Sequence, residues 1–146
     1  MIEILQSIGR VRRAVNLLAV KQLKPLGLGS KQASALRFLS SHRLCSRADL
    51  ARHTITDPAA TGRILDTLIR RGLIVQKAHP TDRRRWMLAL TPEGRRLAGK
   101  IAAVFEGIAE TLARRLDPQE RRALVLTLDK ISDSLAPKAK KTKELS

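Results

Sequence analysis

Two short apolar runs enclose a polar, arginine-rich segment in residues 74–94 of the chain. The second run alternates and places Trp86, Leu88 and Leu90 on one face, which is typical of a strand with one buried side. Between the runs, a proline and Asp82 favour a turn, and three consecutive arginines follow. These features predict a β-hairpin with a cationic tip that can lie along a nucleic-acid duplex. A solvated loop that only maintains solubility is the alternative.

Two short helices joined by a tight turn are predicted directly before the hairpin. Ser46 is a typical N-cap residue, and Asp49, three residues later, supplies the acid of a capping box. Asp57 and Pro58 are the N-cap and first-turn proline of a second helix, and Gly72 ends that helix. Two helices followed by a hairpin in this order predict a winged helix-turn-helix.

The second helix of this pair is predicted to lie in the major groove of DNA. Its first turn is built of small residues that let the backbone approach a duplex, and Thr61 and Arg63 could reach phosphates or base edges. Gly62 lowers helix stability by roughly 1 kcal/mol relative to alanine. Close approach of the helix backbone to a duplex would explain why a glycine stands there. An ordinary surface helix is the alternative. The candidate DNA-binding residues of the whole motif are Ser46, Arg47, Pro58, Ala59, Ala60, Thr61, Arg63, Asp82, Arg83, Arg84 and Arg85.

Three further amphipathic helices flank this region, one near the start of the chain and two at its end. Apolar residues recur at helical spacing in residues 4–18, 97–116 and 124–135. A shorter helix is expected over residues 31–40, with Ser30 as its cap. In so small a chain, the three apolar faces are buried most fully against the same helices of a second copy. We therefore predict a homodimer.

Length and composition favour one mainly helical domain. The chain has 146 residues, and because aromatic residues make up only 2% of it, the core must be aliphatic. We expect a single domain over residues 1–136, mainly α with a small β-hairpin. Within it, residues 30–91 form the winged helix-turn-helix lobe, and residues 2–24 and 93–136 form the dimerisation helices. The lysine-rich residues 137–146 are expected to be a disordered basic tail.

The formal net charge of +16 predicts a polyanionic partner, nucleic acid before any other. An anionic membrane surface is the competing attractor. The apolar runs are only a few residues long, far below the roughly 20 that span a bilayer, and no leader sequence is evident. We therefore expect a cytoplasmic protein with no membrane partner. The one cysteine, Cys45, cannot form an internal disulfide, which agrees with a reducing compartment.

No arrangement of residues indicates catalysis or metal binding. The sequence has no glycine-rich phosphate loop, no nucleophile with its base and no paired carboxylates. Its histidines, His42, His53 and His79, lie on different elements without metal-ligand spacing. We expect no enzymatic activity, no metal and no cofactor. Cys45 is interpreted as a small buried hydrophobe, with an oxidant-sensing thiol as the alternative.

Over residues 4–135 the chain resembles the MarR family of winged helix-turn-helix transcriptional regulators. Three segments carry the resemblance: Arg71-Gly72-Leu73-Ile74, Asp82-Arg83-Arg84 and Leu90-Thr91-Pro92-Glu93-Gly94. The resemblance implies that Arg84 enters the minor groove, oriented by Asp82, and that residues 58–71 lie in the major groove. It also implies an obligate dimer made by the terminal helices. Gly62 and the Ala59-Ala60 pair depart from the family pattern, which has hydroxyl-bearing residues in that first turn.

The function implied is a sequence-specific regulator that binds double-stranded DNA at a pseudo-palindromic operator. We expect a repressor that is released by a small organic anion resembling an aromatic acid. The family often has an effector pocket between the terminal helices and the DNA-binding lobe, and Arg10, Arg13 and His42 lie on the elements around it. An architectural DNA-binding protein without an effector is one alternative, and a basic membrane-surface protein is the other.

Overall fold

The computed structural model describes residues 1–135, and the predicted basic tail at residues 137–146 lies outside them. The helices are α1 (Ile2–Leu23), α2 (Ser30–Ser41), α3 (Arg47–Thr54), α4 (Pro58–Arg70), α5 (Pro92–Ala113) and α6 (Pro118–Leu135). The strands are β1 (Ile74–Ala78) and β2 (Trp86–Leu90), and a 3₁₀ turn at Lys24–Leu26 follows α1. The predicted fold class, mainly α with a β-hairpin in a winged helix-turn-helix, is confirmed.

The described residues form two compact units that divide between Ile108 and Ala109. The first unit encloses an aliphatic core, as the low aromatic content requires. The largest fully buried side chains are Leu23, Leu36, Leu50, Leu65, Leu68, Leu88 and Ile101. Because helices α1 to α5 and strand β2 each contribute one of them or more, the core fixes the winged helix-turn-helix against α1, α2 and the first part of α5.

Helix α1 uses its C-terminal half for packing. Ala19 and Leu23 are buried, and Val15, one turn earlier, packs against the same core. The other members of the apolar face predicted over residues 4–18 remain exposed in the single chain: Ile4, Ile8, Val11 and Leu18. The first half of α1 therefore presents an apolar surface that the first unit does not cover.

Of the caps predicted for helices α2, α3 and α4, two are confirmed and one is wrong. The hydroxyl of Ser46 accepts the N–H of Asp49 at 3.1 Å, and the carboxylate of Asp57 accepts the N–H of Ala60 at 2.7 Å. Helix α2, in contrast, is capped one residue before Ser30. The N-cap is a glycine, and its N–H donates to the side-chain oxygen of Gln32 at 3.1 Å, so the contact at this cap comes from the Gln32 side chain and not from a hydroxyl.

The hairpin is antiparallel, with Ile74 opposite Leu90 and Ala78 opposite Trp86. The one-sided burial predicted for β2 is wrong, because its last four residues are all buried whereas Trp86 is 61% exposed. Trp86 pairs with an exposed alanine at the end of the ladder nearest the tip, beyond the part of the strand that the core covers. Cys45 also pairs with β2, and its N–H and carbonyl both bond to Leu88.

Hydrogen bonds join the start of α5 to the segment between α4 and β1. The Thr91 hydroxyl donates to the Gly72 carbonyl at 2.6 Å, and the Thr91 N–H donates to the Leu73 carbonyl at 3.1 Å. Gly94 packs directly on this carbonyl, so that a Cβ at this position would overlap the Leu73 oxygen. Close approach of the backbones thus explains why a glycine stands at the first turn of α5.

The second unit contains the end of α5 and helix α6. Asp117 caps α6 by accepting the N–H groups of Gln119 and Glu120, and the Glu120 carboxylate accepts the Asp117 N–H at 2.9 Å. No residue of α6 is buried, and its exposed apolar side chains are Leu124, Val125, Leu126, Leu128 and Leu135.

Candidate nucleic-acid interface

The first turn of α4 presents a nearly bare backbone to solvent. Pro58 and Ala59 are exposed, and Ala60 is half-buried. A Cβ at Gly62 would meet no atom of the protein within 4 Å, so internal packing does not require a glycine there. Arg63, exposed at the end of this turn, supplies a cation. The surface has the small side chains and positive charge that close approach to a phosphate backbone needs.

Thr61 differs from its expected placement. Its side chain is only 3% exposed, and its hydroxyl donates to the Asp57 carbonyl at 2.9 Å. The same hydroxyl lies 2.8 Å from the hydroxyl of Thr56 in the preceding turn. The expectation that Thr61 contacts DNA is therefore corrected, because its side chain faces the interior and fixes the turn between α3 and α4.

Ser46 and Arg47, at the start of α3, are both candidate DNA-binding residues, but only Arg47 has a side chain free of the helix cap. The Ser46 hydroxyl donates to the Asp49 carboxylate at 2.7 Å while it accepts the Asp49 N–H, so the capping box uses it fully. Hydrogen bonds from the Ser46 N–H and hydroxyl hold the pKa of the Asp49 carboxyl below its usual value. Arg47, the next residue, is exposed and keeps its guanidinium at the surface. Of the pair, Arg47 is the one with a cation available to DNA.

The tip of the hairpin, residues 79–85, is folded by its own hydrogen bonds. Asp82 accepts the N–H of Arg84 through its carboxylate at 3.1 Å and the N–H of Arg85 through its carbonyl at 3.0 Å. The His79 N–H closes the loop by donating to the Arg85 carbonyl at 2.8 Å. Asp82 thus positions the backbone that carries Arg84 and Arg85.

The side chains of Arg83, Arg84 and Arg85 are all exposed. The ion pairs within residues 1–135 join the amino terminus to Glu3, Arg52 to Asp49, Arg96 to Glu93 and Arg114 to Glu110. None of them involves the tip arginines, Arg47 or Arg63. These cations can therefore meet phosphates without first breaking a salt bridge.

A cavity of about 440 Å³ lies between α1, α2, α5 and the turn that follows α3. Its apolar lining is Val15, Ala19, Leu23, Ile55 and Phe105. Its polar lining is Arg12, Asn16, Ser30, Lys31, Ser34, Arg37, His53 and Thr54. The lining includes the basic side chains of Arg12, Lys31 and Arg37 and no carboxylate, so the electrostatic field inside the cavity favours an anion.

The residues expected around such a pocket are not the ones that line it. Arg10 donates to the hydroxyl of Ser7 on its own helix, and neither Arg10 nor Arg13 is among the lining residues. The expectation for both is corrected because they lie on other faces of α1, whereas Arg12 shares the face of the buried Ala19. The helical spacing of Arg12 and Ala19 in the sequence could have identified Arg12 as a lining residue. No sequence pattern identifies Lys31 and Arg37 in this way, because their role depends on how α2 packs against α1.

The expectation for His42 is corrected as well, because His42 lines neighbouring depressions and not the cavity itself. Its Nδ1 lies 2.8 Å from the Phe38 carbonyl, and its ring packs against the Phe38 ring at 4.2 Å between centroids. His53 stacks on Phe38 at 4.4 Å and does line the cavity. The Arg37 guanidinium lies 4.0 Å above the Phe105 ring, which fixes it at the cavity wall.

Cys45 is a buried thiol. Its side chain is packed in the core, and burial, together with the nearby charge of Asp49, raises the pKa of the Cys45 thiol to about 11. The thiolate that reacts with oxidants is therefore scarce at neutral pH, which favours the interpretation of Cys45 as a buried hydrophobe.

Within residues 1–135, no helix is long and apolar enough to cross a membrane, and no cluster of acidic, histidine and cysteine side chains could hold a metal ion.

Comparisons with known proteins point in one direction. A model described as the MarR family matches residues 26–85. The chain is 37% identical over 100 residues to the HTH-type transcriptional repressor Rv2887 of Mycobacterium tuberculosis, covering 68% of this chain and 72% of that one. The structure of a MarR transcriptional regulator from Methanosarcina mazei superposes with a TM-score of 0.81 at 22% identity, over 92% of this chain and 96% of that one.

A further solved structure is that of Bordetella bronchiseptica BpsR, whose DNA binding is regulated by 6-hydroxynicotinic acid. It is 28% identical to the chain, with a TM-score of 0.74, over 88% of this chain and 91% of that one.

Proposed function

The chain belongs to the MarR family and is a DNA-binding transcriptional regulator rather than an enzyme; from this premise we propose that it represses transcription at a pseudo-palindromic operator. The observation that carries the proposal is the pairing of a small-residue helix turn with an arginine-rich hairpin tip. Within residues 1–135, the arginines of these two surfaces form no ion pair with an acidic residue. In this proposal the first turn of α4 lies in the major groove and Arg84 in the adjacent minor groove.

Fewer residues are proposed to contact DNA than the sequence alone suggested. Backbone and small side chains approach the duplex at Pro58, Ala59, Ala60 and Gly62, and cations contact it from Arg47, Arg63, Arg83, Arg84 and Arg85. Asp82 acts indirectly by shaping the loop that carries these last three arginines. Ser46 and Thr61 maintain the fold of the motif.

We also propose that the regulator is a homodimer located in the cytoplasm, where chromosomal DNA is available to it. Support comes from two apolar surfaces, each left exposed in the single chain: one on the first half of α1 and one on α6. Contiguous apolar surfaces of this kind usually mark an interface with another protein. A two-fold dimer would place two identical hairpins on one duplex, which requires an operator with two half-sites.

The cavity supports the proposal that a small organic anion regulates DNA binding. Its volume of about 440 Å³ suits a planar aromatic acid, and its walls combine apolar side chains with Arg12, Lys31 and Arg37. The DNA binding of BpsR is regulated by an aromatic acid of this kind, 6-hydroxynicotinic acid. A purely architectural DNA-binding protein would have no use for such a cavity, so the cavity favours the effector-regulated function over that alternative.

The proposed function is tested by selecting bound fragments from the source genome. A repressor should enrich a small number of fragments that share an inverted repeat upstream of genes. Fluorescence anisotropy should then give at least about 1,000-fold tighter binding to that repeat than to a scrambled duplex at physiological salt. Enrichment of all fragments alike, with equal affinities for both duplexes, would indicate an architectural protein. Binding to acidic lipid vesicles that is unaffected by neutralising the tip arginines would indicate the membrane-surface alternative.

A further inference from the structure

Lys31 connects the cavity to the turn between α3 and α4. Its side chain lines the cavity from α2, and its ammonium donates a hydrogen bond to the carbonyl oxygen of Thr54, the last residue of α3. The ammonium is therefore shared between the cavity and the helix-turn-helix. An anion that enters the cavity attracts the Lys31 ammonium more strongly than the neutral Thr54 carbonyl does, because a charged oxygen is the stronger acceptor.

The turn that Lys31 contacts has a backbone conformation that needs support. Ile55 has a φ of 50° and a ψ of 59°, in the left-handed region that β-branched residues rarely adopt. Its side chain is 86% exposed, so its own packing does not hold the turn. Such a conformation persists only where surrounding contacts impose it. Those contacts include the Ile55 N–H, which donates to the Arg52 carbonyl at 3.4 Å, the Thr56 N–H, which donates to the Ala51 carbonyl at 3.2 Å, and the bond from Lys31 to Thr54.

A chain of hydroxyl groups links this turn to the start of α4. The Thr54 hydroxyl lies 2.7 Å from that of Thr56, which lies 2.8 Å from that of Thr61. The Thr61 hydroxyl donates in turn to the carbonyl of Asp57, the N-cap of α4. Thr54 and Thr61 are both buried and Thr56 is half-buried, so the two ends of the chain are shielded from competing water. A displacement of Thr54 is thereby passed to the first turn of the helix proposed to lie in the major groove.

We propose that Lys31 is the residue through which an organic anion in the cavity weakens DNA binding. This inference rests on the proposed function. The carboxylate of the anion draws the Lys31 ammonium away from the Thr54 carbonyl, the left-handed turn at Ile55 loses a support, and the threonine chain carries the change to α4. Arg12 and Arg37 attract the anion but have no hydrogen bond to the turn in the described structure.

Lys31→Met tests the link without any ligand, because it removes the ammonium and keeps the apolar stem. Arg12→Met is the matched control, since it removes the same charge from the same cavity. We expect Lys31→Met to bind the operator about tenfold more weakly than Arg12→Met, within the usual range for coupled sites. Lys31→Arg, which keeps the charge and donors, should remain near the wild type. Equal affinities for the methionine variants would overturn the role of Lys31.

Thermal unfolding followed by circular dichroism identifies a methionine variant that is simply unfolded at the assay temperature. In that case Thr56→Val provides the test, because valine keeps the shape of threonine and breaks the hydroxyl chain in its middle. A folded Thr56→Val protein should show the same order of loss in operator affinity. Wild-type affinity in this variant would overturn transmission through the chain.

The ligand side of the inference is tested with benzoate and with benzamide, its neutral counterpart of nearly the same shape. Benzoate should weaken operator binding of the wild type several-fold, benzamide should not, and Lys31→Met should not respond to either. A benzoate effect of equal size in Lys31→Met, or no effect on the wild type, would overturn the inference. A wild type that fails to distinguish operator from scrambled duplex would instead contradict the proposed function itself.

Discussion

The carboxylate of Asp82 accepts a hydrogen bond from the backbone N–H of Arg84, with 3.1 Å between Oδ1 and N. Asp82→Ala removes this acceptor and should weaken operator binding, although it also removes a negative charge that repels phosphate. Asp82→Asn is the matched control, because an amide oxygen can still accept the N–H while the charge is gone. We expect the asparagine variant to bind as tightly as the wild type or more tightly in fluorescence anisotropy. Tighter binding by both variants would indicate that only net charge matters at the hairpin tip.

Gly62→Ala should separate the stability of α4 from its proposed contact with DNA. No atom lies within 4 Å of the added Cβ, so the alanine should stabilise the helix by up to about 1 kcal/mol. The same methyl group would obstruct a closely approaching phosphate backbone, so operator affinity should fall. Gly99→Ala in α5, where a Cβ also meets nothing within 4 Å, should raise stability and leave affinity unchanged. If Gly62→Ala binds DNA as well as Gly99→Ala does, the backbone of α4 does not approach the duplex there.

Cys45 should be unreactive in the folded protein at neutral pH. Burial raises the pKa of its thiol from 9.0 to about 11, so native protein should hold roughly 100-fold less thiolate than unfolded protein and react correspondingly slowly with iodoacetamide. Because the raised pKa favours the protonated thiol in the folded state, its stabilising effect is complete below pH 9 and is lost as the pH rises towards 11. Rapid modification by peroxide at pH 7.5, with loss of DNA binding, would restore the oxidant-sensing alternative.

The dimer should depend on one face of α6. Leu128 belongs to the face at helical spacing that also contains Leu124 and Leu135, whereas Leu126 lies about half a turn away. Leu128→Asp should therefore shift the protein from two chains to one in light scattering at micromolar concentration and weaken operator binding. Leu126→Asp, with the same substitution on the same helix, should remain dimeric. A wild-type monomer, or a monomeric Leu128→Asp protein with full operator affinity, would contradict the proposed dimer.

Local chemistry explains which parts of the fold could be predicted from the sequence. The caps at Ser46, Asp57 and Asp117 require only side chains within three residues of one another, and the structure has all of them. The hairpin was predictable for the same reason, since turn residues separate two apolar runs. The misplaced cap of α2 also has a local cause, because a glycine N–H can pair with the side chain of Gln32 where no N-cap hydroxyl is present.

The parts that could not be predicted depend on contacts between distant segments. Thr61 was expected at the surface, and its burial follows from the bond to Thr56 and from packing of α4 on α3. The cavity needs α1 and α2 placed together, which is why Lys31 and Arg37 were missed. The exposure of Trp86 depends on how far along the hairpin the core extends, a distance that alternation within one strand does not encode.

Arg84→Ala, measured by fluorescence anisotropy on the operator and on a scrambled duplex at several salt concentrations, tests the DNA-recognition proposal most directly. A guanidinium in a narrow minor groove interacts with concentrated negative potential, so its loss should cost about 1–3 kcal/mol per hairpin on the operator and less on the scrambled duplex. Preference for A·T-rich flanks should flatten. Lys141→Gln, in the tail outside the described residues, should instead lower both affinities almost evenly and reduce the salt slope by about one unit or less. Equal losses on both duplexes for Arg84→Ala would contradict recognition by the hairpin and leave only a nonspecific basic surface.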